Sequence, residues 1–214
     1  MTYINIALGK GRLVDKTISL LKEMGIDFCE YHSESRKLIF EDPKNYIRIV
    51  LVKAVDVPTY VEKGAADIGV VGKDTLLESG ANVFEMVNLG FGNCKFVVAG
   101  CEQLNLYKKK LIVATKYPNV AKKYFNQQGR SIEVIKLNGS VELAPLVGLS
   151  DCIVDIVETG TTLKENGLKI LEEICPISAR LIVNKASYKT NFQQVNTFLE
   201  KLQAIINRLE VNNP

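Results

Sequence analysis

The sequence predicts an α/β protein built as two lobes of mostly parallel sheet with flanking helices, and three observations carry that expectation. Short β-branched runs alternate with helix-like segments along all 214 residues, the pattern of strand–helix–strand units. One supersecondary layout occurs twice, about 84 residues apart. Apolar residues make up 47% and charged residues 24%, the balance of a soluble globular chain long enough to bury a real core.

The elements follow in order. Tyr3–Leu8 reads as a strand running into the turn GKGR, and the next helix sets Val14, Ile18, Leu21 and Met24 on one face. Ile47–Val52 is a second buried run, and Asp56–Lys63 a short helix with Pro58 in its tolerant first turn. Ala66–Val71 is a strand closed by Gly72, followed by the helix KDTLLES with Gly80 as its stop. After Gly90 the pattern restarts with strands CKFVVAG and LIVAT, helix NVAKKYFNQQG and strand IEVIKL. A helix SVELAPLVG leads into the apolar run DCIVDIV, and ARLIVN is a further strand. Asn191–Leu209 places Phe192, Val195, Leu199, Leu202, Ile206 and Leu209 at helical spacing.

The repeat is DVPTYVEKGAADIGVVGKDTL against SVELAPLVGLSDCIVDIVETGTTL. Each copy has a short helix, a GxxD step (Gly64–Asp67, Gly148–Asp151), an apolar strand and a polar turn opening a helix. Two similar lobes follow from it, with a cleft between them as the default ligand site. The competing explanation is the general likeness of all strand–helix–strand units.

Composition excludes several classes. Net charge is +3, and the densest basic run, Lys108–Lys110, is three residues long; this is a solvated surface and not a nucleic-acid stripe. No apolar run approaches the roughly 20 residues that span a bilayer, and TYINIAL has no signal-peptide flank. The five cysteines are odd in number and lack CxxC spacing, so buried reduced thiols and a cytoplasmic location are expected. His32 is the one histidine; it lies in a polar stretch and leaves no partner for a histidine metal site or a Ser-His-Asp triad.

The chemistry concentrates in DCIVDIVETGTTLKENG, Asp151 to Gly167. A turn from a strand end into a helix exposes unpaired N–H groups, and Gly160 lets backbone approach an anion closely. Glu158, Thr159, Thr161 and Thr162 complete the turn, and Asp155 sits inside an apolar strand where burial is costly without partners. The layout suits a phosphorylated sugar, with phosphate on the turn and hydroxyls on Asp155. Plain capping of the following helix by Thr161 or Thr162 is the alternative. LGKGRL is a second anion candidate, with Lys10 and Arg12 flanking Gly11, although it matches neither a P-loop nor GxGxxG. Arg36 in SRKLIF and Lys53 at the end of IRIVLVK add two cations. No Cys, Ser or Lys is arranged as an activated nucleophile, so positioning and charge stabilisation are expected.

ALGKGRL, SRKLIF, DVPTYVEKGAADIGVVGKD, GSVELAPLVGLSD and DIVETGTTLKENGL together resemble the ATP phosphoribosyltransferase family, and ARLIVN also fits. The motifs run from residue 6 to about 168 in family order and spacing. The resemblance implies the first step of histidine biosynthesis: adenine N1 of ATP displaces pyrophosphate at C1 of phosphoribosyl pyrophosphate. It implies a fold similar to periplasmic solute-binding proteins of type II, with the active site in the interlobe cleft. Lobe one is then expected at 1–90 plus 176–214 and lobe two at 91–175. Magnesium is the expected cofactor, held mainly by substrate phosphates with no ligand expected from the protein. Ending after one amphipathic helix, the chain looks like the short form. That form assembles as a hetero-oligomer, a hetero-octamer, with a regulatory subunit resembling histidyl-tRNA synthetase.

Carried over by residue, the resemblance puts the ribose 5-phosphate on Thr159–Thr162 and the ribose hydroxyls on Asp155. Glu158 stands where the family varies between acidic and small polar residues. Lys10, Gly11 and Arg12 face substrate phosphates, Arg36 and Lys53 neutralise the departing pyrophosphate, and Glu142 is a further substrate-site candidate. Some relatives carry arginine at the place of Lys53; lysine keeps the charge and loses the bidentate fork. The rival functions are a non-enzymatic solute-binding module of the same fold and a phosphoribosyltransferase for another base.

Overall fold

The computed structural model describes residues 2–32, 34–101, 108 and 110–212. The elements in chain order are β1 (Ile4–Gly9), α1 (Arg12–Glu23), β2 (Ile39–Asp42), β3 (Ile47–Val52), α2 (Val57–Glu62), β4 (Ile68–Gly72), α3 (Lys73–Ser79) and β5 (Phe84–Asn88). There follow β6 (Cys94–Gly100), β7 (Leu111–Thr115), α4 (Pro118–Gln127), β8 (Ile132–Lys136), α5 (Leu143–Leu146), β9 (Cys152–Val157) and α6 (Thr161–Glu165). Last come β10 (Lys169–Ile177), β11 (Ala179–Val183), α7 (Lys185–Thr190) and α8 (Phe192–Asn212). The chain divides into two compact units, Met1–Gly92 with Ser178–Pro214, and Asn93–Ile177.

The first unit holds a six-stranded sheet in the order β2-β3-β1-β4-β11-β5. The strands β3, β1 and β4 run parallel, whereas β2, β11 and β5 pair antiparallel. One face packs Ile6, Leu8, Ile49, Ile68 and Leu181 against Leu20 and Leu21 of α1 and Val195, Leu199 and Leu202 of α8. The other face buries Ala7 and Ile182 under Val57 and Val61 of α2 and Leu76 of α3. Gly69 makes that second contact possible: a β-carbon there would lie 2.6 Å from a methyl of Val61.

The second unit holds β10-β6-β9-β7-β8, with β9, β7 and β8 parallel and β6 and β10 antiparallel. Read from its other edge, this order reproduces β3-β1-β4-β11-β5 strand for strand and direction for direction. The expectation of mostly parallel sheet is therefore corrected. Among the described residues five of the nine strand pairings are antiparallel. The cause is connectivity. The chain leaves the first unit after β5 to form β6 of the second, and returns after β10 to form β11 of the first. Each crossing strand enters its sheet against the direction of the parallel trio.

The repeat extends to individual hydrogen bonds. Lys63 N donates to Thr59 O at 3.0 Å, and Val147 N to Leu143 O at 3.1 Å. Ala66 N donates to Tyr60 O, and Ser150 N to Ala144 O. Gly64 and Gly148 both adopt left-handed backbone, with φ 73 and 72. Asp67 and Asp151 then do one job. Each donates its backbone N–H to a carbonyl of the strand beside it, Asn5 O or Ile112 O, and accepts that residue's N–H on its carboxylate, from Asn5 at 2.9 Å and from Ile112 at 2.7 Å. Asp151 also pairs with Lys108 at 2.6 Å.

One difference between the copies has a measurable consequence. The buried Ser150 hydroxyl has no hydrogen-bond partner among the described residues, whereas the first unit has Ala66 at the equivalent position. Replacing an orphaned buried hydroxyl by the residue its twin uses removes a desolvation cost. Ser150→Ala should raise the melting temperature by about 2–4 °C, equivalent to about 1 kcal/mol in a chain of this size. A lowered melting temperature would mean that the hydroxyl is satisfied.

Other expectations need amending. SVELAPLVG forms only the four-residue α5, because Ser140 (φ 49) and Gly148 take left-handed backbone on either side. Of the five cysteines only Cys152 is buried; Cys29 and Cys101 are exposed, Cys94 and Cys175 intermediate. His32 is exposed. In the basic run, Lys110 pairs with Glu133 at 2.9 Å, and Lys109 lies outside the described residues. No helix among the described residues is long and apolar enough to cross a membrane.

Candidate active site

The candidate residues gather at the carboxyl ends of the parallel strands of each unit, where open α/β sheets place their ligands. In the first unit β1 ends at Gly9 and the turn Lys10–Gly11 leads into α1, whose first residue is Arg12. Lys10 N donates to Val52 O at 2.9 Å, which ties this turn to the end of β3, one residue before Lys53. Gly9 is required there: a β-carbon would lie 2.7 Å from the Ala54 Cα, in the single 3-10 turn that follows Lys53. Gly11 has φ 124, a conformation that side chains other than glycine's rarely adopt.

Arg36 reaches the same end from the other direction. Because β2 runs antiparallel to β3, the residues ahead of β2 pass the carboxyl end of β3. Leu51 N donates to Leu38 O at 2.8 Å, with Arg36 two residues before that bond and Lys53 two residues after it. Lys10, Gly11, Arg12, Arg36 and Lys53 are thus brought to one end of one sheet. All are exposed, and Lys10, Arg36 and Lys53 form no ion pair with a described residue. Sequence reasoning missed a neighbouring group at the end of β4. Lys73 pairs with Glu85, and Arg180 of β11 places its Nε 3.4 Å from the same carboxylate. The repeat was the available signal, since GKD at Gly72–Asp74 occupies the place of the ETG turn.

In the second unit β9 ends at Val157 and the turn Glu158–Thr159–Gly160 opens α6. Gly160 is left-handed (φ 80) and is itself the N-cap residue, with no side-chain capping bond. The capping alternative for Thr161 and Thr162 is therefore overturned: they are the first two residues inside the helix. Thr159 Oγ1 instead lies 3.0 Å from Thr161 Oγ1 and 3.4 Å from Thr161 N. Buried Leu163 and Leu168 anchor this short helix and leave the three threonines exposed. Three hydroxyl-bearing side chains are thereby exposed around a left-handed glycine.

Asp155 differs from expectation. It lies opposite Val97, between buried Ile153 and Val157 along the strand, yet it is half-buried, as is Ile156. The two intermediate positions lie between buried Val154 and buried Val157. Asp155 Oδ1 also accepts the Ile156 N–H at 2.8 Å. Glu142, half-buried, holds the N-cap position of α5, after the loop that leaves the carboxyl end of β8. Burial, then the charges of Asp151 and Glu172, push the Cys152 thiol up to about 12, so this residue supplies no thiolate nucleophile. Chemically, one unit offers a cluster of cations and the other a hydroxyl-lined turn beside a carboxylate.

Comparison with known proteins places the chain in a family. The family described as HisG, ATP phosphoribosyltransferase, matches residues 53–207. The ATP phosphoribosyltransferase of Clostridioides difficile (strain 630) is 54% identical over 209 residues, covering 97% of this chain and all of that protein. That of Caldanaerobacter subterraneus subsp. tengcongensis is 54% identical over 210 residues, 97% and 99% of the two chains. The solved ATP phosphoribosyl transferase (HisG:HisZ) complex from Thermotoga maritima contains a chain of the same fold. It has a TM-score of 0.84 and 41% identity over 96% of this chain and 99% of that one. At 11% identity and a TM-score of 0.63, Tv2483 bound to L-arginine shares the fold alone, over 98% of this chain and 86% of its own. On these grounds the chain belongs to the ATP phosphoribosyltransferase family.

Proposed function

We propose that this protein catalyses the first step of histidine biosynthesis. ATP and phosphoribosyl pyrophosphate become N1-(5-phosphoribosyl)-ATP and pyrophosphate by direct displacement at C1. The observation that carries the reading is the turn Glu158–Thr162, open at the end of β9 with Asp155 just behind it, in a member of this family. The ribose 5-phosphate sits on the N–H and hydroxyl groups of Thr159, Gly160, Thr161 and Thr162, and Asp155 accepts from the ribose hydroxyls. Glu158 borders the same turn, and Glu142 approaches substrate from the loop after β8.

Displacement at C1 builds positive charge on the ribose and negative charge on the leaving pyrophosphate. Arg36 and Lys53 neutralise the leaving group, while Lys10, Gly11 and Arg12 hold substrate phosphates at the end of β1. Magnesium supplies further charge neutralisation when it arrives on those phosphates. The substrate phosphates hold it, with no ligand from the protein. The reading places the reaction in a cleft between the lobes of a fold similar to solute-binding proteins, and in the cytoplasm. The Thermotoga maritima HisG:HisZ complex, which contains a chain of this fold, supports work in a hetero-oligomer with a regulatory subunit that resembles histidyl-tRNA synthetase.

The test is purified protein with phosphoribosyl pyrophosphate, magnesium and ATP, with and without that subunit, followed by product absorbance. Turnover with ATP supports the reading. Ligand binding without turnover would favour a solute-binding module, and turnover with a different base another phosphoribosyltransferase. Within the site, Thr161→Ala should raise the KM for phosphoribosyl pyrophosphate about tenfold with little change in kcat. It removes a hydroxyl that binds ground and transition states alike. Steady-state kinetics in both substrates checks this.

A further inference from the structure

Arg36 belongs to a stretch with no regular structure of its own. Between α1 and β2 the described residues form neither helix nor strand, so no ladder of backbone hydrogen bonds fixes them. The stretch is held by separate anchors instead. Upstream, Ile26 and Phe28 are buried in the core of the first unit. Downstream, Leu38 O accepts the Leu51 N–H at 2.8 Å. Between these anchors one side chain crosses to α1: the Tyr31 hydroxyl donates to Asp15 Oδ1 at 3.0 Å. The Tyr31 ring meets buried Phe40 of β2 edge-on, with centroids 5.4 Å apart.

Asp15 lies in the first turn of α1, three residues after Arg12. One hydrogen bond therefore joins the helix that the Lys10–Arg12 turn opens to the stretch that carries Arg36. Packing does not require this bond. The ring contact with Phe40 needs no hydroxyl, and Asp15 is exposed. Burial, then the bond to Asp15, push the Tyr31 hydroxyl up to about 12, so it remains a proton donor at neutral pH. A cation that stabilises developing charge must be placed to within about an ångström for its full effect, and an irregular stretch has only its anchors to achieve that. We propose that Tyr31 and Asp15 are positioning residues, whose hydrogen bond sets Arg36 relative to the Lys10–Arg12 turn for neutralising the departing pyrophosphate. The inference rests on the reaction proposed above, and neither residue touches substrate in it.

Steady-state kinetics of Tyr31→Phe, Arg36→Ala and the double variant, on the full chain with the regulatory subunit present, tests this. Tyr31→Phe keeps the ring against Phe40 and loses only the bond. It should lower kcat about three- to tenfold, with KM for both substrates changed by less than about twofold. Asp15→Ala should do the same, and Asp15→Asn, whose amide oxygen still accepts the bond, should recover most of the loss. In the Arg36→Ala background Tyr31→Phe should cost nothing further, because no guanidinium is left to place. A hydroxyl that served only the fold would lower activity by the same factor in both backgrounds. Equal factors overturn the proposal, as does a wild-type kcat in Tyr31→Phe. A circular dichroism melt verifies that each variant folds. If the wild type turns over and Arg36→Ala does not impair it, this inference falls while the reaction stands; a wild type without turnover removes both.

Discussion

Arg36→Ala should lower turnover by at least tenfold while leaving the melting temperature unchanged. The two halves of that expectation come from different observations. Arg36 is exposed and forms no ion pair with a described residue, so its removal breaks none of the ion pairs among the described residues. Its place in the chain, ahead of β2, puts Arg36 at the end of the sheet where Lys53 and the Lys10–Arg12 turn also emerge. A cation that meets pyrophosphate only as negative charge develops stabilises the transition state more than the ground state. Its loss then lowers kcat and kcat/KM together, with KM little changed. Arg36→Lys should recover part of the activity, because charge is kept and the bidentate fork lost. Unchanged kcat would remove Arg36 from leaving-group stabilisation.

The arrangement behind that prediction was only half legible in the sequence. Arg36 is visible as a charge, but its position depends on β2, and IFED is too short and too polar to read as a strand. The direction of a buried strand is not written in its side chains either. CKFVVAG and ARLIVN read as strands of the parallel kind, yet both enter antiparallel because the chain changes units just before each. Strand β10 escaped for a related reason. It is an edge strand with register shifts after Ile170 and Glu173, and its charges break any simple alternation. Helix α7 was also missed, although Asn184 caps it by accepting N–H bonds from Ala186 and Ser187. The repeat was readable because its punctuation is covalent: Gly64 and Gly148 satisfy a backbone demand, and Asp67 and Asp151 a hydrogen-bonding one. The ETGTT turn was readable for the same reason, whereas Lys73, Arg180 and Glu85 meet only through strand pairing.

Asp155→Asn should raise the KM for phosphoribosyl pyrophosphate at least tenfold and lower kcat/KM by about 10²-fold. It should cost little stability. The change is isosteric, and the amide oxygen can still accept the Ile156 N–H that Oδ1 accepts at 2.8 Å. What disappears is the negative charge, and with it an acceptor on both oxygens for a vicinal diol. A hydrogen bond to a charged group is worth about 1.5–3 kcal/mol, which corresponds to roughly ten- to hundredfold in affinity. Half-burial sharpens the expected effect in one direction only. A fully buried carboxylate without partners would be costly, and its removal would stabilise the fold; a half-exposed one near the end of β9 is retained at small cost. Melting temperature therefore separates the two accounts of this residue. If Asp155 serves the strand, Asn at this position should shift the melt and spare the kinetics. If it serves the ribose, the kinetics should fall while the melt stays within about a degree or two, a fraction of 1 kcal/mol. Equal KM values for wild type and Asp155→Asn would leave the ribose hydroxyls without their proposed acceptor.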